Sequence, residues 1–373
     1  MIALTASLFY VSGFILAGHA ILNARTAQGA IAWSVTLVSV PFIAVPAYLV
    51  FGRNKFEGMM GAYEARQDEI DELVVEFRAG LEPWSYPTPE RPGSYRAMKT
   101  LSGFEILSGN SVDLLVDGTA TFDSILKGLA QAEKYILLQF YMIHDDDIGR
   151  RVQETLIERA NAGVKVYVLY DEVGSHGLPA RYVSKLRDAG VEVSSFRPNR
   201  GFGNRFQLNF RNHRKIVVVD GKTAWVGGHN VGDEYLGRDP KFSPWRDTHV
   251  KITGPAAVQL QAIVMGDWYW ATREIPALSW QPTPAENSNV PVLILPSAPS
   301  ERLETAGLLF TTALHSAKHR IWISAPYFVP DEAVMKALEL AALRGVDVRI
   351  ITTGKPDSCL LYTSDAADDS IRV

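Results

Sequence analysis

Apolar residues in this chain fall into patterns that predict different kinds of element. Residues 1–24 are uncharged and largely apolar; after Arg25, residues 26–52 are again uncharged, until Arg53 and Lys55. At about 1.5 Å rise per residue, each run can cross a hydrocarbon core of roughly 30 Å as a helix. The two runs predict a two-helix transmembrane hairpin, with Pro41 and Pro46 tolerated because neighbouring helices can satisfy the freed carbonyls. A cleaved signal peptide fits less well, since no basic segment leads the first run and a second span follows at once. From 57 to 84, Asp68, Asp71, Glu72, Glu76 and Arg78 surround Ile70, Leu73, Val74 and Phe77, the pattern of an amphipathic helix. Such a helix more commonly packs on its domain than lies along a membrane. Pro83, Pro87, Pro89 and Pro92 mark a linker. Beyond residue 101 the period alternates: strand 111–116, helix 121–132, buried strand 135–141, helix 148–162, strand 164–170. That order predicts an α/β sandwich.

The strand–helix–strand unit recurs. Ala132-Glu133-Lys134-Tyr135-Ile136-Leu137-Leu138 and Ala162-Gly163-Val164-Lys165-Val166 have counterparts in Ala317-Lys318-His319-Arg320-Ile321-Trp322-Ile323 and Arg344-Gly345-Val346-Asp347-Val348. The offsets are 185 and 182 residues, so one short gap aligns both blocks. Two copies predict a pseudo-twofold molecule.

The strongest local pattern is Asn212-His213-Arg214-Lys215 followed by Ile216–Val219, four consecutive β-branched residues, and the turn pair Asp220-Gly221. This reads as a buried strand ending in a turn. His213 and Lys215 lie two apart and project from one face of an extended chain. An imidazole beside a fixed ammonium suits attack on a phosphodiester: the lysine neutralises non-bridging oxygens while the imidazole attacks phosphorus or moves a proton. Gly227-Gly228-His229-Asn230 follows. The whole matches all six fixed positions of H-x-K-x4-D-x6-G-[GS]-x-N and so resembles the phospholipase D superfamily. The resemblance implies a phospholipase D-like α/β sandwich and puts Asp220 with His213 and Lys215 in the catalytic set. An aspartate at a strand-to-turn junction, however, more often caps the turn and braces the strand than touches substrate. The resemblance also assigns Lys215 and Asn230 to the substrate phosphate. It assigns Asp247 to orienting the motif histidine through the far ring nitrogen, against the plain alternative of a surface aspartate at a strand end.

Composition narrows this little. The 373 residues carry a net charge of −4, which gives no global sign of nucleic-acid binding. One cysteine, Cys359, excludes an intramolecular disulfide framework and a cysteine-based zinc site. Locally, Arg197, Arg200, Arg205, Arg211, Arg214 and Lys215 interleave with Phe196, Phe202, Phe206 and Phe210, with no acid between Glu192 and Asp220. Arginine with aromatics suits an anionic lipid surface and equally suits single-stranded nucleic acid. His144, His176, His229 and His249 form no metal-ligand pattern, and Asp145-Asp146-Asp147 reads as the acidic opening of a helix. No metal and no cofactor are expected.

Two spans, a basic aromatic loop before the motif and Trp245-Arg246-Asp247-Thr248-His249 after it together resemble bacterial cardiolipin synthases of the phospholipase D type. That resemblance implies transfer of a phosphatidyl group between two phosphatidylglycerol molecules through a phosphohistidine, with either motif histidine as the nucleophile. It implies an anionic phospholipid partner and a multi-pass protein of the bacterial inner membrane. No nucleic-acid partner is expected, and the oligomeric state is open. Two charges after the second span against one in the loop favour a cytoplasmic catalytic domain. A membrane-anchored hydrolase of lipid or nucleic-acid phosphodiesters and a lipid-binding fragment without turnover are the alternatives. The implied domains are 1–52, two transmembrane helices; 53–100, amphipathic helix and linker; 101–280, the first half with the motif; 281–358, the start of a second half. Residues 359–373 break the pattern, look like translated sequencing-adapter read-through and are expected to be non-native. By the repeat, a second H-x-K would fall near residue 395; none occurs in these 373 residues, so the second half is expected to be incomplete and this chain to have little or no activity.

Overall fold

The first uncharged run folds as one helix, α1 (Ile2–Asn23), whose stretch Thr5–Asn23 is long and apolar enough to cross a membrane. The second run differs from the single span expected of it. It forms α2 (Ala27–Ser39) and α3 (Pro41–Phe51), broken at Val40 because proline has no N–H to continue the ladder. The Leu37 carbonyl, which a residue other than proline at 41 could bond, packs directly against Gly13 of α1, where a Cβ would collide with it. Ala17, Ala20, Leu37, Ala44, Val45 and Tyr48 bury one another between the three helices. His19 Nδ1 meets the Tyr48 hydroxyl at 2.9 Å.

The computed structural model describes residues 2–24, 27–52, 67–87, 93–196, 211–297, 303–326 and 328–352. Arg53, Lys55, most of the basic aromatic loop and residues 359–373 therefore lie outside the described residues. The chain divides into two compact units, residues 1–88 with 104–300 and residues 89–103 with 301–373.

In the first unit, β1 (Leu107–Val116), β2 (Tyr135–Phe140), β3 (Lys165–Asp171), β4 (Glu192–Phe196), β5 (Ile216–Val219), β6 (Thr223–Gly227), β7 (Thr248–Thr253) and β8 (Val290–Val292) form one mixed sheet. Its order is β4-β3-β2-β5-β6-β7-β1-β8. β2, β3 and β4 are parallel, and β5 runs antiparallel to β2 with Ile136 opposite Val219. Both faces of β2 and β5 are covered, which is why they read as nearly continuous apolar runs, broken only by Gln139. Ile136, Leu138, Val217 and Trp225 face α6 (Asp117–Ala130), α7 (Asp147–Asn161) and α8 (Ala180–Asp188). Leu137, Leu169, Ile216 and Val218 face α9 (Ala256–Thr272), a helix buried on nearly every side. The expected amphipathic helix is α4 (Gln67–Leu81); it packs on the domain through Leu73, Phe77 and Leu81, with Phe77 set edge-on to Trp280 at 5.9 Å.

One boundary needs correction. Residues 281–297, expected to open the second half, belong to the first unit, where β8 extends the sheet beside β1. Buried Asn110 fixes it there, donating to the Val290 carbonyl at 3.1 Å, while Asn289 accepts from the Gly109 N–H at 2.7 Å. The second unit holds α5 (Gly93–Ser102), α10 (Thr305–Ser316), β9 (Arg320–Ser324), α11 (Glu332–Leu343) and β10 (Asp347–Ile351). Its core is Leu314, Ile321, Ala337, Leu338, Ala341 and Val346.

The repeat is visible in register. Tyr135 pairs with Lys165 across β2 and β3, and their counterparts Arg320 and Asp347 pair across β9 and β10. Asp146 and Asp331, again 185 residues apart, cap the equivalent helices α7 and α11. Each carboxylate accepts from the N–H three residues on, Gly149 at 2.9 Å and Val334 at 2.8 Å. Caps of this kind stabilise a helix by about 1 kcal/mol.

Candidate active site

The motif occupies both ends of β5. At its C-terminal end, Asp220 and Gly221 both have positive φ, 54° and 65°, so the chain reverses into β6 through the Asp-Gly turn the sequence announces. The Asp220 carboxylate accepts from three backbone N–H groups at the entry to β2: Glu133 at 2.9 Å, Lys134 at 2.7 Å and Tyr135 at 2.9 Å. It braces the two central strands, at the far end of β5 from His213.

At the N-terminal end, residues 211–215 are in no regular element. His213 is exposed and its ring lies on Tyr141, centroids 4.6 Å apart. Lys215 is only 4% exposed; its ammonium lies 2.9 Å from His213 Nδ1, 2.7 Å from the His213 carbonyl and 5.5 Å from the Tyr141 ring centre. Burial brings the Lys215 amine down to about 8 against the opposing charge of Asp247. Partial withdrawal from water and the Lys215 charge hold the His213 imidazole below its ordinary value, with Asp171 acting the other way. The pair thus presents a neutral imidazole beside a cation.

The other expected residues gather around this pair. Asn230 follows β6 and is buried; its Oδ1 accepts from the Met142 N–H at 3.1 Å, and its Nδ2 donates to the Tyr235 hydroxyl at 2.6 Å. It thereby ties the chain just after Tyr141 to the 230–235 loop. Asp247 is half-buried; its carboxylate accepts from the Thr248 N–H at 2.7 Å and lies against Gly228. Among the described residues it makes no hydrogen bond to His213; its charge acts instead on Lys215 and His229. The two motif glycines have a steric cause. A Cβ on Gly227 would stand 2.5 Å from the ring of His249, and one on Gly228 would enter the Asp247 carboxylate.

Two groups were not foreseen. His229 and His249 are buried together, Nδ1 to Nδ1 at 3.4 Å, beside Thr121. Burial lowers both, so both rings are neutral; His249 falls to about 3 with His229 and Lys215 adding to the effect, while at His229 the Asp247 and Asp117 carboxylates act against burial. A second buried network joins Gln139, Asn212, Arg214 and Asp267 behind His213. The only sequence signal for it was polar residues inside otherwise apolar elements, Gln139 in β2 and Asp267 in α9.

Asp146 opens α7 as expected and also accepts from the Asp233 N–H at 2.7 Å. His144, Asp146 and Glu234 bring ligand atoms within 4.8 Å of one another. Asp146 is already engaged with two backbone N–H groups, and His144 pairs with Glu234 at 3.3 Å, so the group is internally satisfied.

A buried lysine holding a neutral, surface-facing imidazole at the end of a central strand of a mixed sheet is an arrangement suited to phosphodiester transfer of the phospholipase D type. The family model described as "Cardiolipin synthase, PLD-like domain" matches residues 125–259 and 310–370. Cardiolipin synthase A of Pseudomonas fluorescens Pf-5 is 47% identical over 365 residues, covering 96% of this chain and 76% of that protein. Cardiolipin synthase A of Pseudomonas putida W619 is 48% identical over 364 residues, covering 96% and 75%. The chain belongs to the cardiolipin synthase family of phospholipase D-like proteins. Among solved structures, phosphatidylserine synthase of Haemophilus influenzae Rd KW20 aligns with TM-score 0.49 at 14% identity, covering 70% of this chain and 66% of that one.

Proposed function

We propose that this protein transfers a phosphatidyl group from one phosphatidylglycerol to the glycerol hydroxyl of a second, giving cardiolipin and free glycerol. The observation that carries the reading is the Lys215–His213 contact, in a chain of this family. One motif imidazole attacks phosphorus, forming a P–N bond as the P–O bond to glycerol breaks; a second histidine protonates the leaving alkoxide. The acceptor hydroxyl then attacks the phosphohistidine as the same second histidine takes its proton, and the first imidazole is released. Lys215 neutralises the non-bridging oxygens throughout. Asn230 supports the phosphate site by holding the loop after Tyr141, and Asp247 supports it by its charge beside Lys215. Asp220 serves by fixing β5. The α1–α3 segment is read as a membrane hairpin that keeps the site at a phospholipid surface, with the catalytic domain on the cytoplasmic side. The route uses two histidines, and His213 is the one that this sequence carries in an H-x-K-x4-D motif.

The test is incubation of phosphatidylglycerol liposomes with this protein and with its His213→Ala variant. Cardiolipin from the protein, lost on His213→Ala, is the expected result. Phosphatidic acid without cardiolipin would make the protein a hydrolase and overturn the reading.

A further inference from the structure

His213 precedes β5, so no sheet hydrogen bond fixes its backbone. Side chains do that instead. Asp267 of α9 is 2% exposed, and its carboxylate meets Arg214 Nη1 at 2.7 and 2.6 Å, Asn212 Nδ2 at 2.8 Å and Gln139 Nε2 at 2.7 Å. Arg214 and Asn212 are the immediate neighbours of His213. Gln139 also donates to Asn212 Oδ1 at 2.9 Å, and that oxygen accepts from the Arg214 N–H at 3.2 Å. Asp171, at the end of β3, takes the Asn212 N–H at 3.0 Å and closes the cradle. The residues on both sides of the reactive imidazole are therefore held by one buried carboxylate from a helix more than fifty residues away.

A buried ion pair is a poor way to stabilise a fold, because desolvating two charges offsets most of their attraction; what it can supply is a single geometry. Here that geometry belongs to a segment outside the sheet ladder, which carries the group that must reach phosphorus. We propose that Asp267 is a positioning residue for His213, setting the height and angle of the imidazole over Tyr141 and Lys215 through Asn212 and Arg214. The proposal rests on the transfer chemistry assigned to His213 above.

Asp267→Asn in the full-length protein tests it with three readouts. Far-UV circular dichroism and a thermal melt report folding. Phosphatidyl transfer is expected to lose about 100-fold in kcat, the usual cost of a misplaced reacting group, with KM for phosphatidylglycerol moving less than about twofold. The His213 ring-proton titration, followed by NMR, is expected to move up toward an ordinary histidine as the ring leaves Lys215. A folded variant with wild-type kcat and an unmoved His213 titration overturns the proposal. Should Asp267→Asn fail to fold, Arg214→Lys keeps the charge but not the planar guanidinium that sets Nη1 against both Asp267 oxygens. It is expected to show the same changes in weaker form, and wild-type values for both would overturn the proposal. If the wild-type protein transfers no phosphatidyl group, the functional reading fails, while the His213 titration still decides the cradle.

Discussion

The Lys215 ammonium sits 2.9 Å from His213 Nδ1 and 2.7 Å from the carbonyl oxygen of the same residue. A donor aimed at a ring nitrogen needs that nitrogen unprotonated, so the contact holds the imidazole in the neutral form a nucleophile requires. An incoming phosphate then offers the ammonium better acceptors than the ring. Lys215→Met should therefore do two things at once. The His213 titration midpoint should rise, because a neighbouring cation is gone, and transfer should slow by about 10²–10³-fold, as when a preorganised donor to transition-state charge is removed. NMR of the histidine ring and a lipid-product assay read the two effects separately.

The same lysine makes the protein sensitive to alkali. With the folded amine brought to about 8 from an ordinary 10.5, transfer should decline above that value as the charge is lost. Stability moves the other way. Between these values the unfolded chain binds the extra proton, so unfolding free energy rises with pH through the window and is unaffected by this group below it. The gain is at most about 3 kcal/mol. Denaturant melts at pH 8 and pH 10 should show it in wild type and not in Lys215→Met.

Asp220→Ala removes the acceptor for three backbone N–H groups at the entry to β2. A loss of about 2–4 kcal/mol in unfolding free energy is expected. Asp220→Asn should lose less, since asparagine tolerates the positive φ and keeps one acceptor oxygen. If the residue acts as a brace, kcat per folded molecule in Asp220→Asn stays within about tenfold of wild type, whereas His213→Ala abolishes turnover. A collapse of kcat in a fully folded Asp220→Asn would place the carboxylate in the chemistry instead.

The two motif glycines should differ in tolerance. A Cβ at Gly227 meets the buried ring and backbone of His249, neither of which can yield. At Gly228 it meets the carboxylate of the half-buried Asp247 side chain, which can swing aside at the cost of its bond to the Thr248 N–H. Gly227→Ala should therefore cost about 1–3 kcal/mol as an overpacked core position, and Gly228→Ala clearly less. Thermal melts of the pair decide the order, and the reverse order would show that the 245–249 segment is placed differently over the glycines.

Much of this was legible along the chain because it depends on near neighbours. Strands buried on both faces give unbroken apolar runs, and helices between them give a 3.6-residue period, so β1 through β3 with α6 and α7 fell within a few residues of their predicted bounds. The repeat could be read from sequence and reappears in strand register and in paired cap aspartates. His213 and Lys215 were recognisable because they sit two residues apart. The partners of each polar side chain were not recognisable. Asp220 and Asp247 look alike in sequence, yet one binds the backbone of β2 and the other lends its charge to Lys215. Asp267 was one acid in an apolar helix until α9 packed against β2 and β5. That the Leu37 carbonyl packs against Gly13 of another helix was likewise beyond the reach of local pattern. Periodicity encodes which face of an element is apolar; which buried polar groups satisfy one another is settled only when elements distant in sequence share an interior that excludes water.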